Sequence, residues 1–322
     1  MFLVRTAKQG RAALFLLLSL TIPARRPAPS EAHSGGGRVF PFAELTDGML
    51  ERIQLDDGTV DEWFDLVGEP TLTGLDFIDE LTGNPPDPSD FDFRIWLAWH
   101  DEPARLYLAF VASDDRYHNT HDYSSYDYSL MILGDNDALT LGIDGDHSGG
   151  AGLPTGVVGT EELIAAMREQ GGETQYYEAI SRTNGPNLAD LGQVLRAHSW
   201  RGLPPYADAG GGVAGEAPVI WVIELYVTPF DHGGEPWDSP EGSEVSDLAA
   251  GQLIGFAIGV QDFDYGSTAL GGGGGELDLA EWIPEAMKYS DYGVFFDIRE
   301  FRADYFLDGM LLPANPVEPG ED

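Results

Sequence analysis

The chain has 322 residues, 43% of them hydrophobic, with 55 Asp and Glu against 17 Lys and Arg, a net charge of −38. This length and apolar content can bury a large core, and so acidic a chain repels phosphate backbones, which excludes nucleic acid as a partner. There is no cysteine, which excludes thiolate zinc sites, a cysteine nucleophile, disulfides and a lipidated cysteine.

The first residues differ from the rest. Arg5, Lys8 and Arg11 lead into an apolar run from Ala12 to Ile22, and Ser30-Glu31-Ala32 puts small residues at the two positions a signal peptidase reads. This is the layout of a secretory signal peptide over residues 1–32, and its 11-residue apolar run is too short to span a bilayer. The expected location is extracytoplasmic: secreted, periplasmic or at the cell surface. Removing residues 1–32 takes away five basic residues and one acid, leaving 12 basic against 54 acidic. No later stretch is expected to span a membrane.

Residues 33–314 read as a single domain. The chain's 41 Gly and 21 Pro punctuate short apolar stretches, the texture of an all-β fold with long loops. In Phe91–Trp99, the residues Phe91, Phe93, Ile95, Leu97 and Trp99 share one strand face, and Asp92, Arg94, Trp96 and Ala98 share the other. A second strand, Leu106–Ala112, follows a turn at Asp101–Ala104. Tyr128–Leu133 and Ala138–Ile143 read as a hairpin across Gly134-Asp135-Asn136-Asp137, whose residues suit a tight turn.

Residues 151–217 break this pattern and read as a partly helical insertion. Thr160 is placed to cap a helix over Glu161–Gln170, stopped by Gly171-Gly172. Asn187 is placed to cap a second, in which Leu188, Leu191, Val194 and Leu195 recur at helical spacing. Gly210–Gly212 and, further on, Gly271–Gly275 read as loop tips. Val219–Val227, Leu253–Val260 and Tyr292–Ile298 supply later strands, and residues 315–322 a disordered tail. The expected fold is an all-β, antiparallel, jelly-roll-like β-sandwich.

One loop has the spacing of a metal site. Asp144, Asp146 and Ser148 alternate with Gly145 and His147 ahead of Gly149-Gly150. Oxygens at i, i+2 and i+4 on a glycine-bent loop can converge on one calcium ion, as in the first half of an EF-hand. Position twelve is Thr155, so no Glu closes the site and further ligands must come from elsewhere, Asp135 and Asp137 being nearest. The competing reading is a plain Asx/Gly turn. Asp114-Asp115 and Asp262-Phe263-Asp264 are weaker versions of the same idea. His118 and His121, with Asp114 and Asp122 nearby, have zinc-binding atoms but no helix to hold them at a fixed spacing.

Four segments, in order, carry a resemblance. They are Leu55–Trp63, an acidic turn running into Asp-Glu-Trp; Ile95–Asp115, two strands ending in paired Asp; Asp137–Gly150, a strand running into Asp-Gly-Asp-His-Ser-Gly-Gly; and Val222–Pro229 followed by Gly251–Asp262. Together they resemble the family 9 carbohydrate-binding modules and their DOMON-type relatives, over residues 50–150 and 218–300. The resemblance implies a β-sandwich, bound structural calcium, and a non-catalytic site in which aromatic rings stack on a polysaccharide or oligosaccharide. An indole covers the apolar C–H face of a pyranose, and Asp, Asn, Gln or Arg partners its hydroxyls.

Of the seven Trp, Trp99 and Trp221 alternate with core residues, and Trp63 is expected to pack at the sandwich edge. Trp96 shares its face with Asp92 and Arg94, a mix unusual for a buried layer, and is the leading stacking candidate. Trp200, Trp237 and Trp282 lie in or beside polar loops and are candidates for the rim of the same site. Three other readings remain. DOMON-type relatives include haem-binding electron-transfer subunits, for which Met131 and Lys288 are available as axial ligands. Paired carboxylates of a glycosidase cannot be picked out among so many acids. The last is a purely structural surface protein.

Overall fold

The computed structural model describes residues 38–79, 84–117, 137–149, 175–183, 191–197, 206–215, 218–232, 242–263, 286–290 and 306–314. Its strands, in chain order, are β1 (Val39–Glu44), β2 (Leu72–Thr73), β3 (Ile78–Asp79), β4 (Phe91–His100) and β5 (Arg105–Asp114). There follow β6 (Ala138–Asp144), β7 (Gln175–Thr183), β8 (Leu191–Ala197), β9 (Ala207–Ala214) and β10 (Val219–Val227). The last are β11 (Phe230–His232), β12 (Glu244–Val245), β13 (Leu253–Phe263), β14 (Ala286–Ser290) and β15 (Leu307–Leu311). Two short helices, α1 (Asp47–Leu50) and α2 (Asp61–Leu66), lie between β1 and β2. Among the described residues no helix is long and apolar enough to cross a membrane.

Thirteen of the described strands form one curled sheet, in the order β8-β7-β6-β13-β15-β1-β4-β5-β10-β9 with β2, β3 and β14 pairing off this path, while β11 and β12 pair with each other. β1 is where it folds over. Its first four residues pair with β15, from Val39↔Asp308 to Phe42↔Leu311, and its last two pair with β4 through Ala43↔Ala98 and Glu44↔Trp99. A strand that changes partners midway makes the corner of a sandwich. Both pairings of β1 are parallel, whereas every other pairing in the sheet is antiparallel.

The core lies between the two layers. Phe91, Phe93, Ile95, Leu97 and Trp99 of β4 point inward, as the alternation predicts, and join Ile254, Phe256 and Ile258 of β13 in one buried cluster. Phe42 of the corner strand meets Phe256 edge-on with ring centroids 5.3 Å apart. Each such large apolar side chain contributes about 1.5–3 kcal/mol by leaving water. Trp99 and Trp221 are core residues, as their spacing implies.

The outer face of β4, β5 and β10 is also covered. Trp96, Ala98, Tyr107, Ala109, Val222 and Tyr226 form a second buried cluster beneath the segment from Leu45 to Val67. In α2, Asp61 and Glu62 occupy the first turn, where the helix dipole favours acids, and Trp63 is its one buried residue. The helix stops at Gly68, whose φ of 94° glycine tolerates, with the Val67 and Gly68 amides both donating to the Trp63 carbonyl. Trp63 is thus buried against the outer face of the sheet, in the same cluster as Trp96, Tyr107 and Val222.

Two sequence expectations are corrected. Leu191, Val194 and Leu195 belong to strand β8, antiparallel to β7, and not to a helix. A short apolar run carries both periodicities, and here pairing with β7 decides. Gly210–Gly212 is the middle of β9, opposite Glu224, Ile223 and Val222, and not a loop tip. Gly210 is glycine because a Cβ there would overlap the backbone of Leu55 and Asp56, which rests directly on the strand. The described strands of 151–217 thus join the sheet, β7 and β8 beyond β6, and β9 beside β10. The expected helix at Glu161–Gln170, the strands at Tyr128–Leu133 and Tyr292–Ile298, the Gly271–Gly275 loop and the 315–322 tail lie outside the described residues.

Candidate functional site

Three buried carboxylates meet at one end of the sandwich. Asp114 is the last residue of β5, Asp137 immediately precedes β6, and Asp262 lies near the end of β13. The first comes from one layer and the other two from the other, where Ala138 pairs with Gln261. One carboxylate oxygen of each lies within 4.8 Å of the others, and all three residues are at most 2% exposed.

Asp114 is held by two donors. The Arg116 amide donates to Oδ1 at 2.7 Å, and the Trp221 indole N–H donates to Oδ2 at 3.2 Å. Even so, burial above all, with Asp115 and Asp90 adding repulsion, pushes its pKa up to about 6. Several negative charges so close and so dry are compatible with folding only if protons or a cation neutralise them. An all-carboxylate donor set suits a hard, oxygen-seeking divalent cation such as calcium.

The loop that the spacing singled out is built differently. The Asp144 carboxylate is buried and turned onto its own loop, where Oδ2 accepts from the Gly149 amide at 2.8 Å and Oδ1 from the Ser148 amide at 3.3 Å. Asp146 Oδ1 also accepts from the Ser148 amide, at 3.0 Å. His147 sits at a φ of 55° with its Nε2 2.8 Å from Asp308 Oδ1. These are the bonds of an Asx-type turn. Of the metal candidates read from the sequence, Asp137 joins the buried triad, and so do Asp114 and Asp262, which the sequence offered only as weaker candidates; Asp135 lies outside the described residues.

A second acidic group lies under the outer layer. Asp57, Glu62 and Glu224 bring one carboxylate oxygen each within 4.8 Å of one another, graded from exposed Asp57 to buried Glu224. The Trp63 indole donates to Glu224 Oε1 at 2.7 Å. Burial chiefly, and then Glu62, Asp57 and Asp56, push the Glu224 pKa up to about 9. Glu62 is raised too, by burial first. The sequence signal for Glu224 is a single acid within the apolar run Val219–Val227.

The expected ligand face is partly dismantled. Trp96 is completely buried and its indole donates to the Gly68 carbonyl at 2.8 Å. Phe64 packs edge-on against its ring at 4.7 Å. No face of Trp96 is open to a sugar, because the sheet face it shares with Asp92 and Arg94 is covered by α2 beyond Arg94. Trp96→Phe is expected to cost about 1–3 kcal/mol through the orphaned Gly68 carbonyl, measured by thermal unfolding, with sugar affinity unchanged in calorimetry. Arg94 remains exposed and pairs with half-buried Asp92 at 3.1 Å. Trp200, Trp237 and Trp282 lie outside the described residues, as do His118, His121 and Met131.

No protein-family model matches the chain, and no curated protein matches it. Among solved structures it is similar to a family 9 carbohydrate-binding module from Caldicellulosiruptor kristjanssonii in complex with glucose, with a TM-score of 0.49 and 9% identity. That match covers 88% of this chain and 100% of the other. A structure described as a family 9 module from the same organism in complex with cellotriose gives a TM-score of 0.47 at 8% identity, covering 88% and 99%.

Proposed function

We propose that this protein is an exported, non-catalytic sugar-binding β-sandwich stabilised by calcium. The observation that carries the reading is where the resembling segments end. Ile95–Asp115 contributes Asp114, Asp137–Gly150 begins with Asp137, and Gly251–Asp262 closes on Asp262; their carboxylates form the buried triad. Three of the segments that resemble family 9 modules thus bring together carboxylates whose donor set fits calcium. The triad is too deeply buried to reach a polysaccharide, which favours a structural role over acid–base chemistry on a glycosidic bond.

The sugar site in this reading is built around the Asp92–Arg94 pair on β4, with loop aromatics from among Trp200, Trp237 and Trp282 stacking on the ring. Arg94 and Asp92 supply directional partners for hydroxyls. Calorimetric titration with glucose and cello-oligosaccharides, with and without calcium, tests it. The expected result is binding in calcium that weakens at least tenfold in Arg94→Ala. Absence of binding to any of these sugars in both conditions would remove the sugar-binding reading and leave a structural surface protein.

A further inference from the structure

We infer that Asp57, Glu62 and Glu224 form a second divalent-cation site, which ties the N-terminal layer to the outer face of the sheet. This site is separate from the Asp114–Asp137–Asp262 triad and does not depend on sugar binding.

The geometry is assembled from both sides. Glu224 lies on the outward face of β10, and its partner across the ladder is Gly210 of β9. The bare backbone at Gly210 admits Leu55 and Asp56, and the turn beyond them carries Asp57 to the buried carboxylate. Gly58, at a φ of 76°, closes that turn. Thr59 fixes Asp57 by donating its amide at 2.8 Å and its hydroxyl at 3.2 Å to Oδ1. The Gln54 amide fixes Glu62 by donating to Oε1 at 3.2 Å. Trp63 fixes Glu224 through Oε1.

Each carboxylate is thus positioned by donors of the protein, and all three converge. What points to a ligand is Glu224 Oε2. It is fully buried and has no hydrogen-bond partner among the described residues, in a residue with no exposed surface. A buried carboxylate oxygen left without a partner is costly unless a cation or proton occupies its side. The neighbouring acids that repel Glu224 are the same groups that would share a cation with it. Three carboxylates with oxygen donors only suit calcium, and the exposed Asp57 side leaves room for the water ligands that calcium accepts.

The test is calcium-binding stoichiometry of the full chain after chelator stripping, by calorimetry, for the parent and for Glu224→Gln and Asp57→Asn. Glu224→Gln keeps an oxygen for the Trp63 indole and removes the buried charge. Asp57→Asn is an exposed change that leaves the core untouched. The expected result is that each variant binds one calcium fewer than the parent, while Asp262→Asn retains this site. A parent stoichiometry unchanged in both variants overturns the proposal and assigns the neutralisation of Glu224 to a proton.

Discussion

Stripping divalent cations at pH 7.5 is expected to lower the melting temperature by roughly 5–10 °C per site lost, and at pH 4.5 to change it little. The pH dependence follows from the buried triad. In the cation-free protein the pKa of Asp114 stands at about 6 against 3.8 for the unconstrained group, so the folded state holds its proton more tightly than the unfolded state. The stability from that proton is complete below about pH 3.8. It is lost as pH rises through about 6, a cost of about 3 kcal/mol at neutral pH. Glu224 acts in the same direction over a wider window, from 4.5 to about 9.

A cation bound there would take the place of the missing protons and offset this loss. Calcium should therefore stabilise most where the carboxylates are ionised, and its effect should fade in acid, where protons already neutralise them. Scanning calorimetry in calcium and in chelator, at both pH values, reads this directly. Equal melting temperatures in calcium and chelator at pH 7.5 would show that protons alone neutralise the triad.

Trp63→Ala is expected to be the most damaging single substitution in the outer layer. Trp63 is fully buried, and truncating a buried Trp costs about 3–5 kcal/mol. It also removes the one donor to Glu224 among the described residues, leaving both oxygens of that carboxylate without a described donor, at about 1–3 kcal/mol more. These two contributions can be separated. Trp63→Phe keeps most of the packing and loses only the donor. Adding Glu224→Met to it removes the orphaned carboxylate and should recover part of the loss, a coupling visible in a double-mutant cycle by denaturant unfolding. Independent, additive effects of the two changes would mean that the indole and Glu224 are not energetically linked.

The inward face of β4 was legible because Phe91 to Trp99 alternates cleanly and one layer of the sandwich lies opposite it. The outward face was misleading for a physical reason. Arg94 is exposed and Asp92 half-buried, yet Trp96 two residues beyond Arg94 is buried, because α2 covers only part of that strand. A strand pattern reports the polarity of each face and not how far along it a covering segment extends. The two acidic clusters were hidden for a related reason. Asp114, Asp137 and Asp262, or Asp57 and Glu224, are distant in sequence, and only strand register brings them together. The Asp144 loop, whose oxygens are close in sequence, stood out instead, and its local spacing is explained by bonds within the turn. Gly210 misled similarly, since a glycine that admits a neighbouring backbone reads like one that frees a loop.

The corner strand also decides how the domain answers to pulling. β1 and β15 run parallel over four paired residues, from Val39↔Asp308 to Phe42↔Leu311. Tension between the segment preceding β1 and the segment following β15 would draw the two strands in opposite directions along their axes. The ladder would then be loaded in shear, with all its hydrogen bonds resisting together, and not unzipped one bond at a time. A domain anchored at one flank and dragged at the other would yield only when that whole short ladder gave way.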